Sequence, residues 1–313
     1  MHDDQRLFDV IIIGGGPAGL SAALILGRSL RNIIVFDTGK PRNMKSEAMH
    51  GFISRDGTNP IEFLRLCKEE LKKYSVELVE ALIVKAHRFD TTGFEVQDSN
   101  GNSYYSRKIL IATGLCDRLP EVPGIEKFYG ISIFHCPYCD GWEVRLKPLA
   151  VYAKNCGPGQ AVALKNWSDD VTILTDGREP TEEEHQLYSL KNIKVSTGRI
   201  AGLEGSGGKL EYILLENGEK IIASALFFNS AQFQKSDLGN QLGCSFTDKG
   251  VIDTDNFQQS NIPDVYVAGD AAKDMQLVII AAAEGAKAGL IINKSLQKKE
   301  KFLSAVDQAI KLK

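Results

Sequence analysis

The chain has 313 residues, 43% hydrophobic and 25% charged, with 37 Lys and Arg against 40 Asp and Glu, for a net charge of −3. That length suits about two domains, and the near-balanced charge excludes a basic nucleic-acid surface or a polybasic membrane contact. Charges or glycines interrupt every apolar run, so no spanning helix is expected, and the first six residues do not read as a signal peptide; the expected compartment is the cytoplasm.

Residues 8–13 predict a continuous apolar strand, as in a parallel sheet covered on both faces. The turn Gly14-Gly15-Gly16-Pro17-Ala18-Gly19 follows, then a helix over 20–30 and a strand over 32–37. The order is βαβ with a glycine turn at its first corner. An amphipathic helix is expected over 59–74. Short strands are expected over 76–84, 94–98 and 104–107, and a buried strand over 108–112, stopped by Thr113-Gly114. Residues 119–124, with two prolines and a glycine, read as a loop at a domain crossing. A second βαβ unit is expected from a strand over 149–153, a helix over 158–166 and a strand over 171–175. Further strands are expected over 193–196, 212–215, 220–223 and 225–229. A buried strand over 265–268 leads into Gly269-Asp270, then an Ala-rich helix over 277–292 and a separate Lys-rich helix over 293–313.

In Gly14-x-Gly16-x-x-Gly19 the first glycine allows a tight turn, the second lets backbone approach a pyrophosphate, and the third lets helix pack on strand. The helix N-terminus favours negative charge. Asp37 closes the second strand, where a carboxylate suits a ribose hydroxyl. The motif reads as a dinucleotide site.

Of six cysteines (67, 116, 136, 139, 156 and 244), only Cys136-Pro137-Tyr138-Cys139 form a tight pair. Two thiols at that spacing close a small, easily opened ring. A thiolate at a helix start is the better nucleophile, and His135 or Asp140 could move the proton that exchange requires. Three other readings stay open: a zinc site from Cys116, His135, Cys136 and Cys139, a glutaredoxin-like spacer, and a static bridge. No metal is expected.

These landmarks together resemble the low-molecular-weight thioredoxin reductase family of flavoproteins. They are the glycine turn, Ala112-Thr113-Gly114, Cys136-x-x-Cys139-Asp140-Gly141 and Val267-Ala268-Gly269-Asp270-Ala271. The resemblance implies an α/β fold of two Rossmann-like (three-layer ββα) domains. An FAD domain over 1–117 and 245–313 would be split around a nucleotide-binding-like domain over 118–244 that carries the thiol pair. It implies FAD with its pyrophosphate at Gly14, Gly16, Pro17, Ala18 and Gly19, and Asp270 against the ribityl–pyrophosphate part. The helix near Gln276 and Leu277 would lie under the flavin. Cys139 would be the flavin-side cysteine, Cys136 the one that attacks substrate, and Asp140 the acid–base group. A homodimer is implied as well.

The chain also departs from that family. Where a second glycine-rich turn should hold NADPH, it reads Tyr152-Ala153-Lys154-Asn155-Cys156-Gly157-Pro158-Gly159, and Asp176 stands where a basic cluster should clamp a 2′-phosphate. Arg178 alone does not restore the site, so tight NADPH binding is expected to be lost. The family's Arg-Gln-Ala reads Gln276-Leu277-Val278, and residues 49–57 resemble a branch that includes dithiol oxidases of the gliotoxin type. His50 and His135 become candidates for proton transfer. Three functions follow as expectations. One is reduction of a thioredoxin-like disulfide with a ferredoxin or flavodoxin as donor. Another is oxygen-dependent oxidation of a small dithiol; the apolar residues Phe128, Tyr129, Phe134, Tyr138 and Trp142 fit either of these two, as a protein face or as a small-substrate mouth. The last is a non-catalytic flavin sensor, which the intact thiol pair opposes.

Overall fold

The computed structural model describes residues 6–89, 93–154, 157–229, 231–272 and 275–311, with side chains to residue 301. In chain order the first elements are β1 (Leu7–Ile13), α1 (Pro17–Arg28), β2 (Ile33–Asp37), α2 (Pro60–Leu71), β3 (Glu77–Glu80), β4 (Ile83–Arg88), β5 (Phe94–Asp98) and β6 (Ser103–Ile111). Then come β7 (Leu115–Asp117), β8 (Ile133–Phe134), α3 (Pro137–Asp140), β9 (Leu149–Tyr152), α4 (Gly159–Leu164), β10 (Val171–Leu174), α5 (Glu182–Leu190) and β11 (Lys194–Ser196). The rest are β12 (Ile200–Ser206), β13 (Lys209–Leu215), β14 (Lys220–Ile222), β15 (Ala225–Phe228), β16 (Gln232–Gln234), α6 (Leu238–Gln241), β17 (Val265–Val267) and α7 (Val278–Lys311).

The chain divides into two compact units. The first holds Met1–Arg42, Ile61–Cys116 and Gln232–Lys313; the second holds Asn43–Pro60 and Asp117–Ala231. These bounds differ from the sequence division at three places: Asn43–Pro60 groups with the second unit, Asp117 does too, and that unit ends at Ala231 rather than 244.

In the first unit the sheet order is β3-β2-β1-β6-β5-β4, with β17 also on β6. β1 runs parallel to both β2 and β6, which buries Val10, Ile11 and Ile12 completely. The sequence suggested two strands over 104–112; the structure has one, β6, that forks. Its first half pairs antiparallel with β5, and Ile109–Ile111 pair parallel with β17. Lys108 interrupts the apolar run at the fork. Its side chain is fully buried, with the ammonium donating to Asp264 and to Ser295 Oγ at 2.9 Å. A buried charge needs such a partner. The single strand expected over 76–84 is also corrected. It is two strands, β3 parallel to β2 and β4 antiparallel to β5.

Helix α7 is another correction, because Val278–Lys311 form one continuous helix where two were expected, over 277–292 and 293–313. Ala288, Ile292 and Leu296 stay on one buried face across the supposed break. Asn293 accepts from Arg31 Nε at 2.7 Å, and Glu300 binds both Arg31 and Arg107. Near its start α7 lies close against α1. A Cβ built on Gly285 would fall 1.9 Å from Ala18 O, and one on Gly289 would fall 3.0 Å from Ala22 O.

The second unit repeats the plan with a parallel sheet, β11-β10-β9-β15-β8, and an antiparallel β12-β13-β14 sheet. Ala150, Val151, Ile173, Leu226 and Phe227 are fully buried in it. Helix α5, not foreseen from the sequence, starts at a capping box in which Thr181 and Glu184 each bond the other's backbone N–H. Each unit is thus a Rossmann-type α/β domain.

Candidate functional site

In the first unit the glycine turn sits between β1 and α1. Gly14 has φ +112°, and an added Cβ would lie 2.2 Å from Ala112 O. Only glycine fits there. An added Cβ on Gly19 would lie 1.9 Å from Gly14 O, so the helix packs on the turn backbone itself. Gly16 is different: nothing lies within 4 Å of its would-be Cβ. It caps α1 without a side-chain bond, and Pro17 takes the first helical position. Open space at a helix N-terminus with no side-chain cap is a cradle for a phosphate.

Around the cradle stand the other expected residues. Ala112 is buried, Gly114 has φ +71°, and Thr113 Oγ1 is a buried hydroxyl with no hydrogen-bond partner among the described residues. Asp37 accepts from Lys68 Nζ at 2.8 Å and crowds Gly15. Gly269 N–H donates to Glu284 Oε2 at 2.9 Å. Asp270 accepts from Arg42 Nη1 at 3.0 Å, and the same guanidinium nitrogen donates to Gln276 Oε1 at 2.6 Å. Gln276 and Gln232 exchange amide hydrogen bonds, and Leu277 is half-buried just before α7. The orphaned hydroxyl, the empty volume at Gly16 and the helix start fit a dinucleotide such as FAD. Replacing Gly16 by valine is therefore expected to leave the melting temperature of the apoprotein within about 2 °C, since a clash there would cost far more. The flavin content after purification should fall several-fold, read from the ratio of visible to ultraviolet absorbance.

In the second unit Cys136 caps the single-turn helix α3, and Pro137 starts it. Cys136 and Cys139 are half-buried. The Asp140 N–H donates to Cys136 O at 3.2 Å. Burial, with the neighbouring Cys136 and Glu143 charges, pushes the Asp140 carboxyl up to about 7. Gly141 packs under Trp167, where a Cβ would meet the indole ring at 2.9 Å. Tyr138 stacks edge-on against Trp167 and is 76% exposed; Trp142 is 64% exposed under the Arg145 guanidinium. His135 turns its ring edge toward Phe228, and its carbonyl accepts from Gln160 Nε2 at 3.0 Å. His50 lies between two carboxylates, Nδ1 at 3.4 Å from Asp56 Oδ1 and Nε2 at 3.5 Å from Glu143 Oε1. Phe128 and Phe134 are buried in the unit's core, and Tyr129 is half-buried. Cys244, in the first unit, is buried, which pushes its thiol up; Cys67 and Cys116 are half-buried. Among the described residues no three His, Cys, Asp or Glu side chains gather to hold a metal ion, and no helix is long and apolar enough to cross a membrane.

A glycine cradle on one Rossmann unit and a Cys-x-x-Cys-Asp on the other are the parts of one enzyme family. Residues 8–285 match the pyridine nucleotide-disulphide oxidoreductase family. The chain belongs to that family. It is similar to thioredoxin reductase tcpT of Claviceps purpurea, 31% identical, with 93% of this chain and 95% of that protein covered. Among solved structures it resembles HlmI, with 32% identity and a TM-score of 0.92, covering 99% of this chain and 98% of that one. It also resembles an oxidoreductase from Agrobacterium tumefaciens, with 32% identity and a TM-score of 0.86, covering 93% and 99%. The protein is a thioredoxin reductase-like FAD flavoprotein and a disulfide oxidoreductase.

The second turn expected to meet a nucleotide lies in the second unit. Asn155 and Cys156 lie outside the described residues, but the groups around them do not. Asp176 accepts from Ile200 N–H at 2.9 Å and Tyr152 OH at 3.2 Å, and pairs with Lys154 at 3.0 Å. Partial burial opposes its charge, yet these three donors outweigh it and hold the carboxyl below the usual carboxylate range. Arg178 forks onto both Glu184 oxygens, at 2.7 and 3.2 Å.

Sequence reasoning missed Arg42, Glu284, Gln232 and the Glu143 partner of His50. Their interactions join positions far apart in the chain, with no local spacing to reveal them.

Proposed function

We propose that this protein performs thiol–disulfide exchange at a redox-active Cys136–Cys139 pair, with a disulfide of a thioredoxin-like protein as substrate. The observation that carries the reading is Asp140. A carboxyl titrating at about 7, bonded through its backbone to Cys136, is a proton donor poised for neutral pH. Gly14, Gly16, Pro17, Ala18 and Gly19 would hold the FAD pyrophosphate, Asp37 a ribose hydroxyl, Thr113 and Gly114 the wall beside it, and Asp270 the ribityl–pyrophosphate part. Bound FAD supplies the two-electron chemistry that resets the thiol pair.

In the reducing direction the Cys136 thiolate attacks one substrate sulfur. A mixed disulfide forms, and the other substrate sulfur leaves, taking its proton from the Asp140 carboxyl. Cys139 then gives up its thiol proton, attacks Cys136 Sγ and displaces the remaining substrate sulfur, which takes up that proton. The two cysteines lose two electrons and close their disulfide; the substrate gains both electrons and becomes a dithiol.

We read the electron donor as a small iron–sulfur or flavin protein of the ferredoxin or flavodoxin kind rather than NADPH. An anionic Asp176 repels a 2′-phosphate, and Arg178 is engaged by Glu184. A second reading runs the pair backwards, oxidising a small dithiol with oxygen as acceptor. The exposed rings of Tyr138 and Trp142 favour it, since they offer an apolar mouth beside the thiols. We read the enzyme as a cytoplasmic homodimer in either case.

The test is an anaerobic titration of the yellow protein, followed at the flavin band. Neither NADPH nor NADH is expected to bleach it, whereas a dithiol should. Rapid bleaching by NADPH would restore an ordinary NADPH-linked reductase. Once the protein is reduced by dithiol, oxygen is admitted. Slow reoxidation fits the reductase and fast reoxidation the dithiol oxidase.

A further inference from the structure

Around the thiol pair of the second unit, ionisable groups grow steadily more exposed. Asp140 is half-buried. Glu143, three residues further along the chain, has a side chain 41% exposed, and Asp56 one 66% exposed. Between the last two sits His50, whose side chain is 19% exposed. Both of its ring nitrogens face carboxylate oxygens, Nδ1 toward Asp56 and Nε2 toward Glu143.

The segment that carries His50 is built to hold it there. Met49 is buried and pairs with Thr58, donating its N–H to Thr58 O at 2.9 Å. Gly57 N–H returns to Met49 O at 3.0 Å. Asp56 Oδ1 accepts from Gly51 N–H at 2.8 Å, so the carboxylate facing His50 is fixed by the loop itself. Gly51 and Gly57 both have φ +76°, the left-handed region that closes the loop on both sides.

We propose that His50 is a positioning residue for the exchange reaction: held between Asp56 and Glu143, its imidazole offsets the Glu143 charge that Asp140 faces. The inference rests on the reading of Asp140 as the acid of the exchange. Two groups face Asp140 electrostatically, Cys136 and Glu143, and both make its proton harder to lose. Two face His50, Asp56 and Glu143. Histidine is the side chain that ordinarily changes charge between pH 5 and 8. When cationic it cancels a carboxylate charge, which eases ionisation of Asp140; when neutral it leaves Glu143 uncompensated. Glu143 is therefore the wire, and His50 acts on the thiols only through it.

The test is the pH profile of sulfur exchange in the dithiol-reduced holoprotein, from about pH 5 to 9. The probe is 4,4′-dithiodipyridine, a neutral disulfide that reports thiolate attack by its released chromophore. The limb belonging to Asp140 is identified as the one that Asp140→Asn removes. His50→Gln is expected to move that limb up by about half a pH unit or more, and Glu143→Gln to move it down by a similar amount. In the Glu143→Gln background, His50→Gln is expected to move it no further, the non-additivity of a shared route. Flavin absorbance and melting temperature report that each variant is folded, and Glu143→Gln reads the same coupling if His50→Gln is not. A limb that stays in place in His50→Gln overturns the proposal, as does an equal shift with and without Glu143. If the wild-type protein shows no exchange that Cys136→Ser abolishes, the proposed function itself fails and this inference falls with it.

Discussion

Gly285→Ala is expected to destabilise the protein by about 3 kcal/mol, the upper end of overpacking costs, and to strip most of its flavin. The added Cβ would fall 1.9 Å from Ala18 O, with Ala18 C and Cα also within 2.8 Å. These are backbone atoms of α1, so no rotamer change relieves the clash. Alanine is the better helix former by about 1 kcal/mol, which does not offset an overlap of that size. Helix α7 must therefore move away from α1, and α1 begins at the Gly16 cradle. Gly289 supplies the control. There the nearest atoms are Ala22 O at 3.0 Å and Ile25 Cβ at 3.1 Å, a contact that a shift of a few tenths of an ångström relieves. Propensity and contact then nearly balance, and Gly289→Ala should change stability by less than about 1 kcal/mol. Urea unfolding of both variants, with flavin content measured beside it, checks the pair. Equal effects at the two positions would show that the close approach at Gly285 does not limit the packing.

Asp140→Asn is expected to slow exchange with a protein disulfide by about 100-fold or more, the low end of what general acids supply. Asparagine keeps the shape and loses the proton to give. Stopped-flow mixing of the reduced protein with oxidised thioredoxin reads the rate. The same substitution carries a stability signature with a definite sign. The carboxyl is raised in the fold from 3.8 to about 7, so between those values the folded state holds a proton that the unfolded chain has lost. Wild-type stability therefore falls as pH rises from about 4 to 7, then levels off. At about 1.36 kcal/mol per pKa unit the whole effect is on the order of 4 kcal/mol. Asparagine has no proton to lose, so the variant's stability relative to wild type should climb through that window and stay higher at pH 8. A variant slower in exchange but no more stable at alkaline pH would place the acid elsewhere. A variant more stable but equally fast would leave Asp140 as a half-buried carboxyl with no part in the chemistry.

The two glycine-and-cysteine landmarks were legible because their chemistry is local. Gly16 answers to open space and Gly19 to Gly14 O, and the spacing alone names those tasks; Gly14 answers to the distant Ala112 O, yet its place at the head of the turn marks it all the same. The order β1, turn, α1, β2 followed from an apolar run and a glycine turn. What escaped was decided at a distance. Lys108 looked like the start of a second strand; its partner, Asp264, stands 156 positions away. Asn293 looked like a helix boundary, yet Arg31 and the apolar stripe through Ile292 and Leu296 carry the helix past it. His50 was visible as a candidate, but its Glu143 partner was not. Helix α5 is the exception, since Thr181 and Glu184 stand at the spacing of a capping box and the signal was there to be read.

The tie between Arg178 and Glu184 has a consequence for how easily this lineage could change its cofactor. Glu184 is the third residue of α5, where it also accepts the Thr181 N–H that starts the helix. Asp176 likewise holds the Ile200 N–H in place. A substitution that freed Arg178 would unpick the beginning of α5, and one that removed the acid at 176 would leave a backbone donor without its acceptor. If a 2′-phosphate needs both changes, neither step alone would restore its binding, and each removes a hydrogen-bond partner from the fold. On the proposed reading of the donor, selection acting one residue at a time would meet a valley in both directions, and the turn would behave as a ratchet. An engineer seeking pyridine-nucleotide dependence here would do better to transplant the whole β10–α5 corner than to restore its charges singly.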